Sequence, residues 1–348
     1  MAWLTKRRLS ILAHVIKHPI KFWNAIGLIA SYFFKLKKVP FLPVSIDIEP
    51  NNSCNFKCSH CQVTHWSKEI VYLDDESFNR IVDQFPNLGH VKLQGMGEPL
   101  LNKQFISMLK SGERRGLLMA FHSNASVCNQ KIAEQLVSLK TTTINFSIDG
   151  ATSETFENIR VNSNLNQIKK NIQYLSHIRG EKKEPKLLGW AVITDKNLHE
   201  VPQIVKLSKD LGLDSITIQP FLSNWGKEEM KKYTESIKVE ENSEVLTDVL
   251  TEAKKLASEE QIDFNVNHTN LYSKNKKCAW AWMRTYIASN GDVVPCCVIA
   301  DSDTVKMGNV FEKDFAEIWN SKEYQDFRER IRTHNLPDYC KNCYVDAD

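Results

Sequence analysis

Apolar and polar positions along residues 44–223 predict a regular succession of strands and helices. Short apolar or alternating runs are separated by segments with helical periodicity, so the two element types alternate. The predicted strands are Val44–Glu49, His90–Gln94, Leu118–Ser123, Thr143–Ile148, Leu187–Ile193 and Ser215–Gln219, and the predicted helices are Asp75–Phe85, Lys103–Arg114, Gln130–Leu139, Leu165–Ile178 and Glu200–Leu211. This alternation indicates an α/β fold with a parallel sheet and functional groups at the carboxyl ends of the strands. Periodicity alone does not distinguish a partial (β/α)6 barrel from an open, doubly wound sheet.

Residues 1–43 differ from this pattern. The basic residues Lys6–Arg8 precede a short helical pattern, and Pro19 begins a second apolar segment that ends in lysines at Lys38. This apolar run is shorter than the roughly twenty residues that cross a bilayer, and it lacks a clear small-residue cleavage site. Two interpretations stay open: helices packed on the main domain, which we favour, or membrane-surface contact through residues 1–38.

The charged segment 224–262 predicts a solvated helical bridge, within which Lys227–Lys232 is expected to form an exposed helix face. We therefore expect four regions: an N-terminal extension (1–43), a core (44–223), this bridge and a C-terminal domain (263–348). A net charge of +3 gives no argument for a nucleic-acid partner. The nine cysteines lie in groups with metal-type spacing, and a chain of 348 residues needs no disulfide scaffold, so reduced thiols and a cytoplasmic location are expected.

The first cysteine group lies directly after the first predicted strand. Cys54, Cys58 and Cys61 have the spacing C-x3-C-x2-C, and three thiolates can bind three irons of a cubane cluster. Structural clusters and structural zinc sites are closed by four ligands, so a missing fourth ligand indicates a metal position kept open for chemistry. The alternatives are part of a zinc site or cysteines that are merely buried.

Residues with binding chemistry follow the later predicted strands. The glycines of Gly95-Met96-Gly97-Glu98 let the backbone approach a ligand closely, and an arginine fork can donate two hydrogen bonds to a carboxylate. Each residue alone could equally serve in a turn, a cap or a surface pair. The set comprises Gly95, Met96, Gly97, Glu98, Ser123, Asn124, Ser147, Asp149 and Arg160.

A second cysteine group lies near the C-terminus. Cys278 and Cys296 flank a hairpin-type turn at Asn290-Gly291-Asp292, and Cys340 and Cys343 follow. Four thiolates suit an iron–sulfur cluster or a C4 zinc site. Two cysteines remain. Cys297 could donate hydrogen to a substrate radical or act as a spare ligand, but we favour a small buried residue that points away from the cluster, and we interpret Cys128 as a packing residue.

The chain from residue 44 to 345 resembles the radical S-adenosylmethionine (SAM) superfamily, and its C-terminal part resembles the SPASM/Twitch extension of these enzymes. The resemblance implies an α/β fold: a partial (β/α)6 barrel with a small C-terminal SPASM/Twitch domain and an N-terminal helical extension. The implied cofactors are a [4Fe–4S] cluster with an open iron site, SAM bound there, and one auxiliary [4Fe–4S] cluster held by Cys278, Cys296, Cys340 and Cys343. The shorter Twitch form is expected because the later C-x2-C-x5-C-x3-C run is missing.

The resemblance also assigns site roles. The Gly95–Glu98 loop would meet the SAM amino group, Ser123 and Asn124 occupy the family's Ser-Asn position, Ser147 and Arg160 would contact the ribose and carboxylate, and Asp149 would line the pocket. Met96 replaces a glycine of the family's Gly-Gly-Glu-Pro motif.

The implied reaction is reductive SAM cleavage to a 5′-deoxyadenosyl radical that abstracts hydrogen from an unactivated C–H bond. We expect a net oxidation, either alcohol dehydrogenation or peptide cross-linking, with the auxiliary cluster as electron acceptor. The expected partners are a small-molecule or peptide substrate and a low-potential donor of the flavodoxin or ferredoxin type. The alternatives are a redox-neutral epimerase with Cys297 as hydrogen donor and a non-catalytic, zinc-stapled binding protein. Peripheral contact with the inner face of the membrane stays possible.

Overall fold

The structure is a computed structural model that describes residues 19–222, 224–240, 243–267 and 272–344. Within these ranges ten strands form one sheet, in the spatial order β10-β9-β8-β1-β2-β3-β4-β5-β6-β7. The strands are β1 Ser45–Ile48, β2 His90–Leu93, β3 Leu118–Ser123, β4 Thr142–Ser147, β5 Lys186–Val192, β6 Ser215–Gln219, β7 Asp263–Val266, β8 Tyr286–Ile287, β9 Asp292–Val294 and β10 Gly308–Asn309.

Helices connect these strands and cover the sheet. The helices are α1 Pro19–Phe33, α2 Asp75–Asp83, α3 Phe105–Arg114, α4 Gln130–Leu136, α5 Ser153–Ile159, α6 Leu165–Arg179, α7 Val201–Asp210, α8 Glu228–Ile237, α9 Glu244–Glu259, α10 Trp280–Met283, α11 Phe315–Trp319, α12 Lys322–Thr333 and α13 Asp338–Lys341. Short 3-10 turns lie at Gln62–His65, Pro99–Leu101 and Leu198–Glu200.

The six strands predicted from the sequence are confirmed, and they pair in parallel in their chain order from β1 to β6. A doubly wound sheet would reverse its strand order at a switch point. The consecutive order therefore identifies the winding of a (β/α) barrel. Because β7 and β10 form the two edges of the sheet, the barrel is partial.

Alternation of side chains along the strands separates the core from the cavity. Ile46, Val91, Phe121 and Ile144 are fully buried in the main apolar core. The neighbouring position His122 instead lines a cavity at the carboxyl ends of the strands. This arrangement follows from the two-residue period of a strand, which sends successive side chains to opposite faces.

The region 224–262 differs from the predicted solvated bridge. Helix α9 packs on α7, and it buries Leu246, Ala253 and Ala257. The following segment Asp263–Val266 forms a seventh strand that is parallel to β6. Sequence analysis missed this strand, which has only four residues, of which Asp263 and Asn265 are exposed. The division into four regions stays a prediction.

The predicted exposed face Lys227–Lys232 also needs correction. Met230 is buried, and Lys227 forms an ion pair with the buried Asp301 at 2.8 Å. A mixed-charge sequence can therefore contain an apolar position that packs and a lysine with a fixed partner.

The C-terminal hairpin extends the sheet beyond β1. Strand β8 is parallel to β1 and antiparallel to β9, and Gly291 turns between them with φ of +85°. A side chain at this position would collide with the Phe311 ring, so the turn requires glycine. The hairpin predicted at Asn290–Asp292 is confirmed.

Helix α1 packs on the C-terminal region through one face. It buries Ala25, Leu28 and Ser31, and the Trp282 indole donates a hydrogen bond to the Leu36 carbonyl at 2.8 Å. The favoured packing interpretation thus holds for this face. The helical pattern predicted before Pro19 lies outside the described residues. Among the helices of the described ranges, none has the length and apolar character needed to span a membrane.

Candidate active site and auxiliary cysteine site

The loop after β1 brings the first three cysteines together. Cys54, Cys58 and Cys61 all line one cavity of about 220 Å³. The loop is fixed by backbone hydrogen bonds from Lys57 to Val161 (3.0 Å) and from Cys61 to Cys58 (3.1 Å). The chain after α5 therefore holds the cysteine loop in place.

The chemistry of these thiols fits an iron–sulfur cluster. Burial raises the pKa of Cys54 to about 11 and that of Cys61 to about 12. A thiol in such surroundings stays protonated unless a nearby positive charge stabilises the thiolate. Iron supplies this charge, because metal-bound thiols are deprotonated. Three thiols facing one cavity can hold three irons and leave the fourth accessible.

The Gly95–Glu98 loop lies directly against the cysteine loop. The Glu98 amide donates to the Ser53 carbonyl at 2.8 Å. A Cβ atom at Gly97 would lie 2.4 Å from that carbonyl oxygen and 2.6 Å from the Asn51 carbonyl oxygen. Because both neighbours are backbone atoms, only glycine permits this close approach.

The Glu98 side chain binds the end of the next strand. Its carboxylate accepts hydrogen bonds from the Ser123 hydroxyl (2.8 Å), the Asn124 amide (2.7 Å) and the Leu100 amide (3.1 Å). Burial raises the pKa of Glu98, although these hydrogen bonds oppose the rise. The structure thus shows Glu98 positioning the Ser123-Asn124 pair, and its contact with SAM stays a prediction.

Asn124 and Ser147 line the same cavity as the cysteines. The Asn124 side-chain amide donates to Asn55 at 3.1 Å and lies 4.0 Å from the Cys54 sulfur. The structure therefore places the ends of β3 and β4 beside the cysteine loop, as the sequence predicted for residues that follow parallel strands.

Arg160 reaches this cavity with its guanidinium held by Asp149. The two side chains lie 2.7 Å apart, and the Asp149 carboxylate also accepts the Val192 amide at 2.9 Å. Asp149 is completely buried and does not line the cavity itself, so its place differs from the pocket-lining position that the resemblance implied. It orients Arg160, whose guanidinium faces the cavity and suits an anionic group.

Seven further residues line the cavity, and sequence analysis did not name them as site residues. The Trp225 indole donates to the His60 carbonyl at 3.3 Å and so ties its segment to the cysteine loop. The strand-end positions could have been found from their alternation with buried neighbours, whereas Trp225 belongs to a segment without periodic signal. These residues are Phe56, His60, His122, Val192, Gln219, Leu222 and Trp225.

The second cysteine group assembles from three segments. The Cys343 amide donates to the Cys340 carbonyl at 3.0 Å, and the Cys278 amide donates to the Tyr344 hydroxyl at 3.0 Å. Burial, together with the neighbouring Cys278 and Cys297 thiols, raises the pKa of Cys343 to about 12. Burial likewise raises the pKa of Cys278 to about 11. Across the described residues, no three His, Cys, Asp or Glu side chains are arranged to hold a single metal ion.

Cys297 adjoins Cys296, and both pack against one apolar cluster that contains Tyr286 and Val294. Its side chain is only partly buried, whereas sequence analysis expected a buried residue. The expected direction of the thiol, away from the cluster, stays a prediction. Cys128 is buried in the main core, as predicted.

Comparison with known proteins agrees with this geometry. The sequence profile of the Radical SAM superfamily matches residues 48–208, and that of SPASM, an iron–sulfur cluster-binding domain, matches residues 278–344. A solved structure, Streptococcus suis SuiB bound to the precursor peptide SuiA, has a TM-score of 0.68 and 18% identity, covering 88% of this chain and 70% of that chain. This likeness shows a shared fold.

Curated relatives match most of the chain. A tungsten-containing aldehyde ferredoxin oxidoreductase cofactor-modifying protein of Pyrococcus furiosus is 24% identical over 85% of this chain and 86% of its own length. An AdoMet-dependent heme synthase of Methanosarcina barkeri is 23% identical over 86% of this chain and 88% of its own length. A PqqA peptide cyclase of Xanthomonas campestris is 22% identical over 86% of this chain and 79% of its own length. The chain is thus a radical SAM superfamily enzyme with a C-terminal SPASM domain, and its cofactors are SAM, a [4Fe–4S] cluster and an auxiliary iron–sulfur centre.

Proposed function

We propose that this enzyme removes hydrogen from a C–H bond of a peptide or small-molecule substrate and completes a net oxidation. The substrate carbon first loses a hydrogen atom, and the resulting radical then loses one electron and one proton. The product is a dehydrogenated or cross-linked substrate. The bound cofactors supply the electron that cleaves SAM, the hydrogen-abstracting radical and the acceptor of the substrate's electron.

One observation carries the oxidative assignment. Met96 of the SAM-proximal loop packs against the same small apolar cluster as Cys296 and Cys297 of the auxiliary site. The buried members of this cluster include Tyr286 and Val294. The Gly95–Glu98 loop of the first site and the auxiliary cysteines Cys296 and Cys297 therefore contact one apolar cluster, which supports electron transfer from a substrate in the cavity to the auxiliary site.

The chain's own residues would bind and orient the reactants. Cys54, Cys58 and Cys61 would hold the open cluster, and Cys278, Cys296, Cys340 and Cys343 the auxiliary one. Arg160, fixed by Asp149, would bind the SAM carboxylate. Trp225 and Leu222 line the cavity and would exclude water from the reacting centre.

Relatives support a peptide as one substrate class. The PqqA peptide cyclases act on a peptide by their name, whereas other relatives are named for cofactors and heme. We propose a flavodoxin- or ferredoxin-type protein as electron donor. We also propose a reducing, cytoplasmic environment, because all nine cysteines are free.

The experiment compares SAM cleavage by wild-type enzyme, Cys58→Ala and Cys340→Ala/Cys343→Ala after anaerobic reconstitution. With dithionite as reductant, wild type and the double variant should form 5′-deoxyadenosine, whereas Cys58→Ala should form none. Addition of a candidate peptide should yield an oxidised product with wild type only. Equal yields of oxidised product from wild type and the double variant would contradict an auxiliary electron acceptor.

A second candidate function is redox-neutral epimerisation with Cys297 as hydrogen donor. Cys297 is only partly buried and packs against the same apolar cluster as Met96 of the Gly95–Glu98 loop, which favours this candidate. In deuterated water an epimerase product would gain one deuterium at the target carbon, and Cys297→Ala would abolish this incorporation. Formation of the same amount of oxidised product by Cys297→Ala and wild type would contradict this candidate function.

A further inference from the structure

Helix α1 exposes an apolar face to solvent. Ile20, Trp23, Phe33 and Phe34 are 76%, 66%, 71% and 78% exposed, and Ile26 is partly exposed at 37%. At roughly 100° per residue the four of these positions that lie within α1 span an arc of about 140°, and Phe34 directly follows the last residue of the helix. Soluble proteins rarely expose several large apolar side chains on one surface, and such patches mark interaction sites.

The opposite face fixes the helix to the body of the protein. Lys21 donates to the Leu88 carbonyl at 2.7 Å, and the Tyr32 hydroxyl donates to the Lys277 carbonyl at 2.9 Å. Gly27, at the border between the two faces, is packed against the Phe41 ring so closely that a Cβ atom would overlap with it. The outward direction of the apolar face is therefore set by the fold.

The distribution of charge along the sequence indicates the kind of surface that this face fits. Residues 1–46 contain eight Lys and Arg and no Asp or Glu, whereas residues 47–348 contain 37 Lys and Arg against 42 Asp and Glu. Lys37 and Lys38 are exposed directly beyond the apolar face. The net positive charge of the chain thus lies entirely in the segment that contains α1.

From these observations we propose that α1 docks on an anionic lipid surface, with its axis in the plane of the interface. Trp and Phe side chains enter the headgroup and acyl boundary of a bilayer, and adjacent lysines bind anionic headgroups. A second copy of the chain fits this face poorly, because two segments of eight positive charges would repel each other. The docked helix brings the auxiliary cysteine site close to the membrane, since the Tyr32 ring packs on Trp282 at 5.9 Å.

The test is sedimentation of the full, cluster-loaded chain with vesicles of phosphatidylcholine alone or of phosphatidylcholine with phosphatidylglycerol. Wild type should bind the mixed vesicles, and Trp23→Ser/Phe33→Ser should bind them at least about tenfold more weakly. Val245→Ser is the matched control, because Val245 is 61% exposed on the distant helix α9 and should leave binding unchanged. Visible absorbance and circular dichroism check that each variant keeps its clusters and fold.

A second variant tests the charge. Lys37→Gln/Lys38→Gln should weaken binding to the mixed vesicles by about fivefold per lysine and leave binding to phosphatidylcholine alone unchanged. The proposal is overturned if wild type does not bind the mixed vesicles or if Trp23→Ser/Phe33→Ser binds them as well as wild type. Absence of vesicle binding together with a dimer that Trp23→Ser/Phe33→Ser dissociates would assign the face to a second copy and also overturn it.

Discussion

The Glu49 carboxylate accepts a hydrogen bond from the Tyr286 hydroxyl at 2.9 Å, and this contact joins the end of β1 to the first strand of the C-terminal hairpin. The same carboxylate accepts the Ser289 amide (3.2 Å), the Ser289 hydroxyl (3.1 Å) and the Met96 amide (3.2 Å). One buried side chain thus holds three segments: the β1 end, the Gly95–Glu98 loop and the hairpin that precedes Cys296.

Replacement of Tyr286 by Phe should lower the free energy of unfolding by about 1 kcal/mol, because a buried carboxylate loses one donor while the ring volume is kept. Urea unfolding of the cluster-loaded enzyme measures the effect. Tyr72→Phe is the control, since Tyr72 is 49% exposed and its hydroxyl bonds the partly exposed Ser53. Equal changes in the two variants would show that the Glu49 contact contributes nothing beyond a surface hydrogen bond.

Gly97→Ala should displace the cysteine loop and reduce iron binding at the first site. The added methyl group would meet two backbone carbonyl oxygens, of Ser53 and Asn51, which cannot rotate away. Iron and sulfide per chain after anaerobic reconstitution should fall towards the content of the auxiliary site alone.

Gly116→Ala is the matched glycine control. Gly116 has φ of +72°, and no atom lies within 4 Å of an added Cβ, so only backbone strain of about 1 kcal/mol is expected. Its iron content should equal that of wild type. Normal iron content in Gly97→Ala would contradict the close approach of the two loops.

Asp301→Asn should lower the free energy of unfolding by about 2 kcal/mol at pH 7, because two partly buried lysines lose their common partner. Lys68 and Lys227 both bind this carboxylate, which is 1% exposed. Asp303→Asn is the control: Asp303 also binds Lys68, at 2.9 Å, but is 76% exposed, so a loss below about 0.5 kcal/mol is expected.

The loss of folding stability in Asp301→Asn should depend on pH. Burial acts to raise the pKa of Asp301, but hydrogen bonds from Lys227 and Lys68 outweigh it and lower the pKa. A carboxylate whose pKa is lower in the folded chain stabilises that chain fully above its ordinary pKa, near pH 4. The stabilisation is lost as the pH falls through the lowered value. The difference between wild type and Asp301→Asn should therefore shrink only below about pH 4, and a difference that vanishes near pH 6 would exclude this carboxylate as its source.

Cys340→Ala/Cys343→Ala should bind about four irons per chain where wild type binds about eight. The reason is that each [4Fe–4S] cluster carries four irons and the first site keeps all three of its cysteines. Cys128→Ala should leave the iron content unchanged, because Cys128 lies in the apolar core. Equal iron in wild type and the double variant would mean that the C-terminal cysteines hold no iron.

The local pattern of apolar residues and the spacing of cysteines were sufficient to predict strands β1 to β6, the hairpin at Gly291 and both cysteine groups. Strands with two-residue periods and loops with fixed cysteine spacing depend on neighbours in the chain, which the sequence displays directly. The seventh strand was missed because Asp263–Val266 gains its place only by pairing with β6.

The sequence by itself determined the (β/α) organisation, the cluster-binding chemistry and the order in which site residues follow successive strands. Only the tertiary structure decided that Asp149 orients Arg160 from outside the cavity and that Glu98 positions Ser123-Asn124. Each of these contacts joins side chains from different loops. The tertiary fold brings such side chains together and sets their directions, and the spacing of residues along the sequence does not encode this.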